Sequence, residues 1–473
     1  MRTNVAIIGA GSAGLSALRE VKQHTGDYVL IDEGPLGTKC ARTGCMPSKV
    51  LINVAKNYHR RRVLARQGLS GSEHLKADIP AVMRHVRLLR DHFAGAMAQA
   101  VEQLAGDRLV RARAKILSPN RILAGDEEIH ADAIVIATGS RPTVPRPWQA
   151  LGDRILTSDT IFEQQDLPPR IAVVGLGPVG LELGQALARL GIELTAFGIE
   201  HNISALTDPH VNEAALSALA EEFPIHTGAA VELQKANGGL LVKHPDIELA
   251  VDAGLVAVGS APDIAGLGLE NLNITLDSRG LPRFDVLTSR IEDLSVFIAG
   301  DADGCCPILH EAIDEGFIAG YNCATGDTHV FCRRTRLQIV FTDPQIAVVG
   351  QGHRQLQEDD KRFVVGKADF ADQSRAVLEL HAGGLLHVYV DRESSRLLGA
   401  EMACPDAEHI AHLLALAMHS NMTVYDMLHI PFYHPTAEEG LRTALRDAVR
   451  RLSDEGRRPE LSLCGTAPEA PLC

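Results

Sequence analysis

The segment Val5-Ala6-Ile7-Ile8-Gly9-Ala10-Gly11-Ser12-Ala13-Gly14 admits few folds. An apolar run of strand length empties into a G-x-G-x-x-G turn, and Leu15 to Gln23 then continues with helical spacing. A second strand, Tyr28-Val29-Leu30-Ile31, ends at Asp32. In such a turn Gly9 permits the tight bend, Gly11 lets backbone approach a pyrophosphate, and Gly14 lets the helix pack close to the strand. Asp32 is placed to accept from a ribose hydroxyl. A lone glycine loop is weak evidence, since many isolated matches are ordinary turns, but the flanking strands and the acid raise it to a dinucleotide-binding unit.

The unit repeats. Ile171-Ala172-Val173-Val174 leads into Gly175-Leu176-Gly177-Pro178-Val179-Gly180 and a helix through Leu181 to Leu190, so one chain offers seats for two dinucleotides. The strand after this helix, Glu193 to Phe197, ends at Gly198, where a carboxylate would favour NAD and a basic group NADP. Neither stands there, so the choice of nicotinamide stays open, with Glu200 or His201 as substitutes. Two further buried-strand patterns close on glycine turns, Asp132 to Gly139-Ser140 and Ala253 to Gly259. Val296 to Gly300-Asp301 is a third apolar strand, ending in an acid that could receive a flavin's ribityl hydroxyls.

At 473 residues the chain exceeds what one hydrophobic core usually supports, and three domains are expected. No apolar stretch approaches the roughly 20 residues that cross a bilayer, and no secretory signal precedes the first strand, so a soluble cytoplasmic protein is expected. A formal charge of −14 argues against nucleic acid as a partner, and Arg60-Arg61-Arg62 reads as a solvated helical face. Nine cysteines are too few and too unevenly spaced for a disulfide scaffold.

Cys40 and Cys45 are the exception. They lie in Gly37-Thr38-Lys39-Cys40-Ala41-Arg42-Thr43-Gly44-Cys45-Met46-Pro47-Ser48-Lys49, shortly after the first glycine loop, and point to a disulfide placed beside a bound redox cofactor. With Pro47 read at a first helical position, Cys45 is expected near a helix N-terminus, where its thiolate is favoured.

The two glycine loops, the C-x4-C-x-P-S-K run, the A-T-G-S turn, the A-G-D strand end and His434-Pro435-Thr436-Ala437-Glu438-Glu439 occur in the order seen in the pyridine nucleotide-disulfide oxidoreductases. The chain resembles the dihydrolipoamide dehydrogenase group of that family, from about residue 4 to about residue 450. The resemblance implies an α/β fold class: two Rossmann-like dinucleotide-binding domains, for FAD and NAD(P), plus a C-terminal α+β dimerisation domain. The expected divisions are 1–148 and 269–335 for the two parts of the FAD-binding domain, 149–268 for NAD(P), 336–455 for the interface domain, and a disordered tail over 456–473. It implies a homodimer in which each active site borrows residues from its partner.

On that resemblance Cys45 is the flavin-side sulfur, Cys40 exchanges with substrate, His434 is the base and Glu439 orients it. Thr436 to Glu439 also spells a capping box, a competing structural reading. Lys49 and Glu182 are expected to pair beside the reactive flavin nitrogen; the alternative is a solvated helix charge, more plausible for Glu182. The cofactor-binding set is Gly9, Gly11, Gly14, Asp32, Lys49, Gly139 and Asp301 for FAD, with Gly175, Gly177, Gly180 and Gly259 for NAD(P). No metal ligands are assigned.

The implied reaction is oxidation of a protein-borne dihydrolipoyl group with reduction of NAD+. Rival readings are an NAD(P)H-dependent reductase of another small disulfide or of mercuric ion, and a weakly active flavoprotein kept for assembly or binding. Lipoamide-type enzymes usually carry Gly-Gly before the first cysteine and Leu-Asn after it, whereas Lys39 and Arg42 flank Cys40 here. Those cations either depress its pKa or select an anionic disulfide. Cys305, Cys306, Cys464 and Cys473 read as unspecialised thiols, because the tail lacks the paired arrangement of mercuric reductases.

Overall fold

The computed structural model describes residues 1–452 and 461. The tail expected over 456–473, apart from residue 461, lies outside the described residues.

The strand Arg2–Ile8 sits at the centre of the first sheet, parallel to Tyr28–Ile31 on one side and to Glu127–Ile136 on the other. Val296–Ile298 joins the far side of Glu127–Ile136 in parallel register, so a segment distant in sequence completes this sheet. Because successive strand residues face opposite ways, Val5 and Ile7 enter one core and Ala6 and Ile8 another. The first core is covered by the helices Ser12–His24 and Leu309–Thr325. These helices approach closely because Gly316 and Gly320 face Ala13 and Ala17: a Cβ at 316 would stand 2.1 Å from the Ala13 carbonyl oxygen. Beyond Glu127–Ile136 the same sheet continues as an antiparallel meander through Arg121–Ala124 and Ala114–Ser118, whose apolar residues join the second core.

The second unit has the same plan. Its parallel sheet runs Ile225–Thr227, Glu193–Gly198, Arg170–Val174, Ala253–Val256, Ile155–Leu156, with the helix Pro178–Leu190 leaving the central strand. A three-stranded meander, Glu232–Ala236, Gly239–His244 and Ile247–Val251, accompanies it. The short segments after the two glycine turns, Ser140–Pro142 and Ser260–Pro262, pair with each other and tie the units together.

From Leu337 onward the fold changes to a five-stranded antiparallel sheet whose core is shared with the helices Ala407–His419 and Glu438–Leu452. Gly366 lets the second helix lie directly on the strand Phe363–Asp369, since a Cβ there would be 2.2 Å from the Ala444 carbonyl oxygen. This layer is bolted to the second unit by a fully buried carboxylate. Glu401 accepts from the backbone N–H groups of Thr207 (2.6 Å), Asp208 (2.8 Å) and His353 (2.7 Å), and from the Thr207 hydroxyl (2.5 Å). Beside it, burial pushes the Asp208 carboxyl up, but the His387 ring 2.6 Å away overcomes that and holds it well below the usual range.

Candidate active site

Gly9 has φ +108°, and a Cβ there would meet the Ala137 carbonyl oxygen at 2.2 Å; a Cβ at Gly14 would lie 1.9 Å from the Gly9 carbonyl oxygen. Gly11 is different, with its nearest protein atom at 4.0 Å. The second loop repeats this: Gly175 (φ +108°) and Gly180 are hemmed in by backbone, whereas Gly177 has open space. The outer two glycines are therefore required by the protein itself. The middle one leaves a cradle in front of a helix N-terminus that a Cβ would fill, the space a pyrophosphate needs.

Asp32 clamps the first loop, accepting from Ala10 N–H and Gly34 N–H, each at 2.7 Å. It also lines a cleft with Gly9, Glu33, Thr138, Arg141 and Asp263, which suits an adenosine moiety. Asp301, in the turn after Val296–Ile298, accepts from the Ser140 hydroxyl at 2.7 Å and so links the strand end to the A-T-G-S turn. Gly139 (φ +75°) and Gly259 (φ +105°) occupy equivalent turns in the two units, each with open space where a side chain would project. These residues fit FAD at the first unit and a nicotinamide dinucleotide at the second.

The cysteine run forms two helical pieces, Lys39–Arg42 and Cys45–His59. Gly44 between them lets the pieces close up: a Cβ there would be 3.2 Å from the Cys40 Cα. Cys45 is itself the first helical residue, so Pro47 is the third rather than the first. The sulfurs lie within hydrogen-bonding reach as two thiols, and the sharing is unequal. The hydrogen bond from Cys40 lowers Cys45 to about 7 against the opposing effect of burial, with Lys49 contributing a favourable charge. The same bond, which Cys40 donates, and then burial, push Cys40 far up. The first proton to leave the pair is therefore the one on Cys45, near neutral pH, while Cys40 keeps its own.

Lys49 lies one helical turn on. Its ammonium is 2.7 Å from Glu182 Oε2 and 4.7 Å from the centre of the Phe341 ring. Glu182 is buried, and its other oxygen accepts from Phe341 N–H at 3.0 Å. The solvated-charge alternative for Glu182 therefore fails: the helix Pro178–Leu190 is buried along most of its length, and Lys49 and Phe341 N–H meet the carboxylate there.

The first reading of the two flanking cations, a depressed Cys40 pKa, needs correction. Lys39 donates to the Ser140 carbonyl oxygen at 2.8 Å and pairs with Asp159 at 3.3 Å, while Arg42 donates to the Pro35 carbonyl oxygen at 2.8 Å. Each braces the loop around the cysteines, and the cation that lowers the Cys40 pKa is Lys49. Sequence adjacency misled because consecutive helical residues point in different directions.

His434 and Glu439 come together, with Nδ1 2.9 Å from Oε2, and the His434 side chain is 69% exposed. The helix begins at Glu438, and Glu439 also accepts from Thr436 N–H at 3.4 Å, half of the capping box. The Thr436 hydroxyl donates to the Tyr433 carbonyl oxygen. Glu439 thus orients the histidine and closes the helix start.

Sequence reasoning missed the acidic group behind the flavin-side turn. Glu315 accepts from Gly300 N–H at 2.9 Å and pairs with Arg333 at 2.8 Å, and burial followed by the charge of Glu315 pushes Asp303 up to about 7. Glu315 lies on an apolar helix, and Asp303 in a turn beside the Asp301 that the flavin reading had already claimed.

Fold and site define an enzyme with two dinucleotide seats and a dithiol pair held at the edge of the first. Residues 3–316 match the pyridine nucleotide-disulphide oxidoreductase family and residues 337–445 match that family's dimerisation domain. The chain belongs to this family: it is an NAD(P)-dependent flavoprotein disulfide oxidoreductase, using FAD and NAD(P), and is dihydrolipoyl dehydrogenase-like. It is 28% identical over 466 residues to the mitochondrial dihydrolipoyl dehydrogenase of Sus scrofa, covering 93% of this chain and 89% of the relative. Against the dihydrolipoyl dehydrogenase of Haloferax volcanii the figure is 29% over 476 residues, covering 94% and 96%. Among solved structures, LpdA from Mycobacterium tuberculosis superposes with a TM-score of 0.82 at 24% identity, and the HOCl-induced flavoprotein disulfide reductase RclA from Escherichia coli, as its Cu(II) complex, with 0.81 at 22%. Each covers 95% of this chain and 100% of its own. No helix among the described residues is long and apolar enough to cross a membrane.

Proposed function

We propose that the protein oxidises a dihydrolipoyl group and reduces NAD+, acting as a homodimer in the cytoplasm. The single observation that carries the dithiol chemistry is the unequal pair, a thiolate-favouring Cys45 beside Lys49–Glu182 with a protonated Cys40 next to it, and the dihydrolipoyl substrate is taken from the names of the relatives.

FAD, when bound, accepts an electron pair on one face and releases a hydride to nicotinamide on the other. The protein's own groups do the rest. Cys40 and Cys45 as a disulfide are attacked by one substrate thiolate, giving a mixed disulfide with Cys40 and freeing Cys45 as thiolate. The second substrate thiol then displaces Cys40, so the substrate leaves as a cyclic disulfide and the pair is reduced. His434 of the other copy takes the substrate's thiol proton at Nε2, since Nδ1 is committed to Glu439. Lys49 holds a positive charge where negative charge develops, and Glu182 fixes its position. The net reaction converts a dithiol and NAD+ into a disulfide, NADH and a proton.

Support for the dimer comes from the match of residues 337–445 to the dimerisation domain and from the exposure of His434 and of its neighbour Tyr433, which is 82% exposed. The division of the chain near 148, 268 and 335 is supported by where each sheet begins and ends.

The test is turnover of purified protein with dihydrolipoamide and NAD+ against a panel of small disulfides and mercuric ion with NADH and NADPH. Dihydrolipoamide oxidation at least tenfold faster than any competing reduction is expected; preference for another disulfide or the metal would replace the substrate assignment and leave the dithiol chemistry standing.

A further inference from the structure

The nicotinamide-binding unit carries a second group of chemically capable side chains that the active site does not use. His226 lies in the edge strand Ile225–Thr227, in register with Phe197. His244 ends the strand Gly239–His244, and Asp246 occupies the tight turn that joins it to Ile247–Val251. One ligand atom from each of the three falls within 4.8 Å of the others. Asp246 Oδ2 is 3.7 Å from His226 Nδ1 and 3.5 Å from His244 Nδ1. Donors about 2.1 Å from a tetrahedral ion stand roughly 3.4 Å apart, so these edges already approach those of a bound ion.

The imidazoles are held in place. The Phe197 ring stacks on His226 with centroids 5.4 Å apart and planes at 17°, and packs against His244 at 5.5 Å. The His244 side chain is 1% exposed, yet its polar groups are poorly served: Nε2 has no hydrogen-bond partner among the described residues, and Nδ1 receives only the Asp246 N–H at 3.3 Å. The Nδ1 lone pair faces Asp246 Oδ2 and is held only by that long hydrogen bond, which an ion on Nδ1 replaces, with the proton then on Nε2. Asp246 is exposed on its outer side, which leaves an entry path and room for a water as fourth ligand.

We propose that His226, His244 and Asp246 bind one divalent first-row transition cation, with Zn2+ the best match to two imidazole nitrogens, one carboxylate oxygen and an open fourth position. The site is separate from the cysteine pair. It fastens the edge strand of the five-stranded sheet, next to the strand that carries Phe197 and Gly198, to the separate three-stranded meander.

The experiment uses the tag-free, full-length holoprotein, oxidised and with accessible thiols alkylated so that cysteines cannot compete. Zn2+ uptake is measured by competition with a fluorescent zinc indicator. One equivalent is expected, with affinity falling at least about tenfold in both His226→Gln and Asp246→Ala while flavin content and circular dichroism stay unchanged. Asp246→Ala, in an exposed turn, guards against loss of folding. No stoichiometric uptake, or uptake insensitive to either substitution, overturns the three-ligand site.

Discussion

Lys49 Nζ lies 2.7 Å from Glu182 Oε2, and the two residues act on Cys45 in opposite directions: the ammonium lowers its pKa and the carboxylate raises it. Their pairing places a cation near the thiolate whose field is partly cancelled by its own anchor. Opposite substitutions should therefore move the thiol in opposite directions. Lys49→Met is expected to raise the Cys45 pKa from about 7 by roughly one unit, and Glu182→Gln to lower it. The pH dependence of the long-wavelength absorbance of two-electron-reduced protein reads both.

His434 should matter for exchange with substrate and not for cofactor binding. His434→Gln is expected to lower kcat with dihydrolipoamide by about 10²- to 10⁴-fold, and Glu439→Gln by about tenfold, with flavin content and anaerobic reduction by NADH unchanged. Unfolding and refolding Cys45→Ser and His434→Gln chains together should restore about a quarter of wild-type activity, because half the dimers are mixed and each carries one intact site. Absence of any restoration would place the base within its own chain's site.

The glycines separate folding from ligand binding. Gly177→Ala meets open space, so protein yield and flavin content should hold while the KM for the nicotinamide rises at least about tenfold. Gly180→Ala would drive a Cβ to 1.9 Å from the Gly175 carbonyl oxygen, and loss of soluble protein or of several degrees in Tm is expected. Equal behaviour of the two would contradict the division of roles.

Much of this organisation was legible in residues whose reason is local. The glycine loops, their strands and Asp32 appear where periodicity and turn chemistry place them, and Tyr28–Ile31 is observed with the bounds expected. The interface layer was visible as strands near 338 and 385 and an apolar helix near 410. What the sequence hid were contacts made across long separations. Lys39 beside Cys40 looked like a modifier of the thiol, and only the chain's return at Ser140 and Asp159 shows what it binds. The burial of Glu182 depends on Phe341, and the acids at 303 and 315 meet through a helix that no local pattern assigned to them.

Glu401 should be a stability residue. With four donors satisfied by one buried carboxylate, Glu401→Ala leaves them unpaired and is expected to cost about 3 kcal/mol, read by urea unfolding followed by circular dichroism. A change below about 0.5 kcal/mol would mean that water replaces the carboxylate at no loss.

Anaerobic addition of NADH, and separately NADPH, to the purified flavoprotein tests the dithiol centre most directly. A long-wavelength charge-transfer band is predicted with the accepted nucleotide, rising with pH around a midpoint of about 7 and absent in Cys45→Ser. No band with either nucleotide, or a band that survives Cys45→Ser, would contradict a Cys45 thiolate set against the flavin.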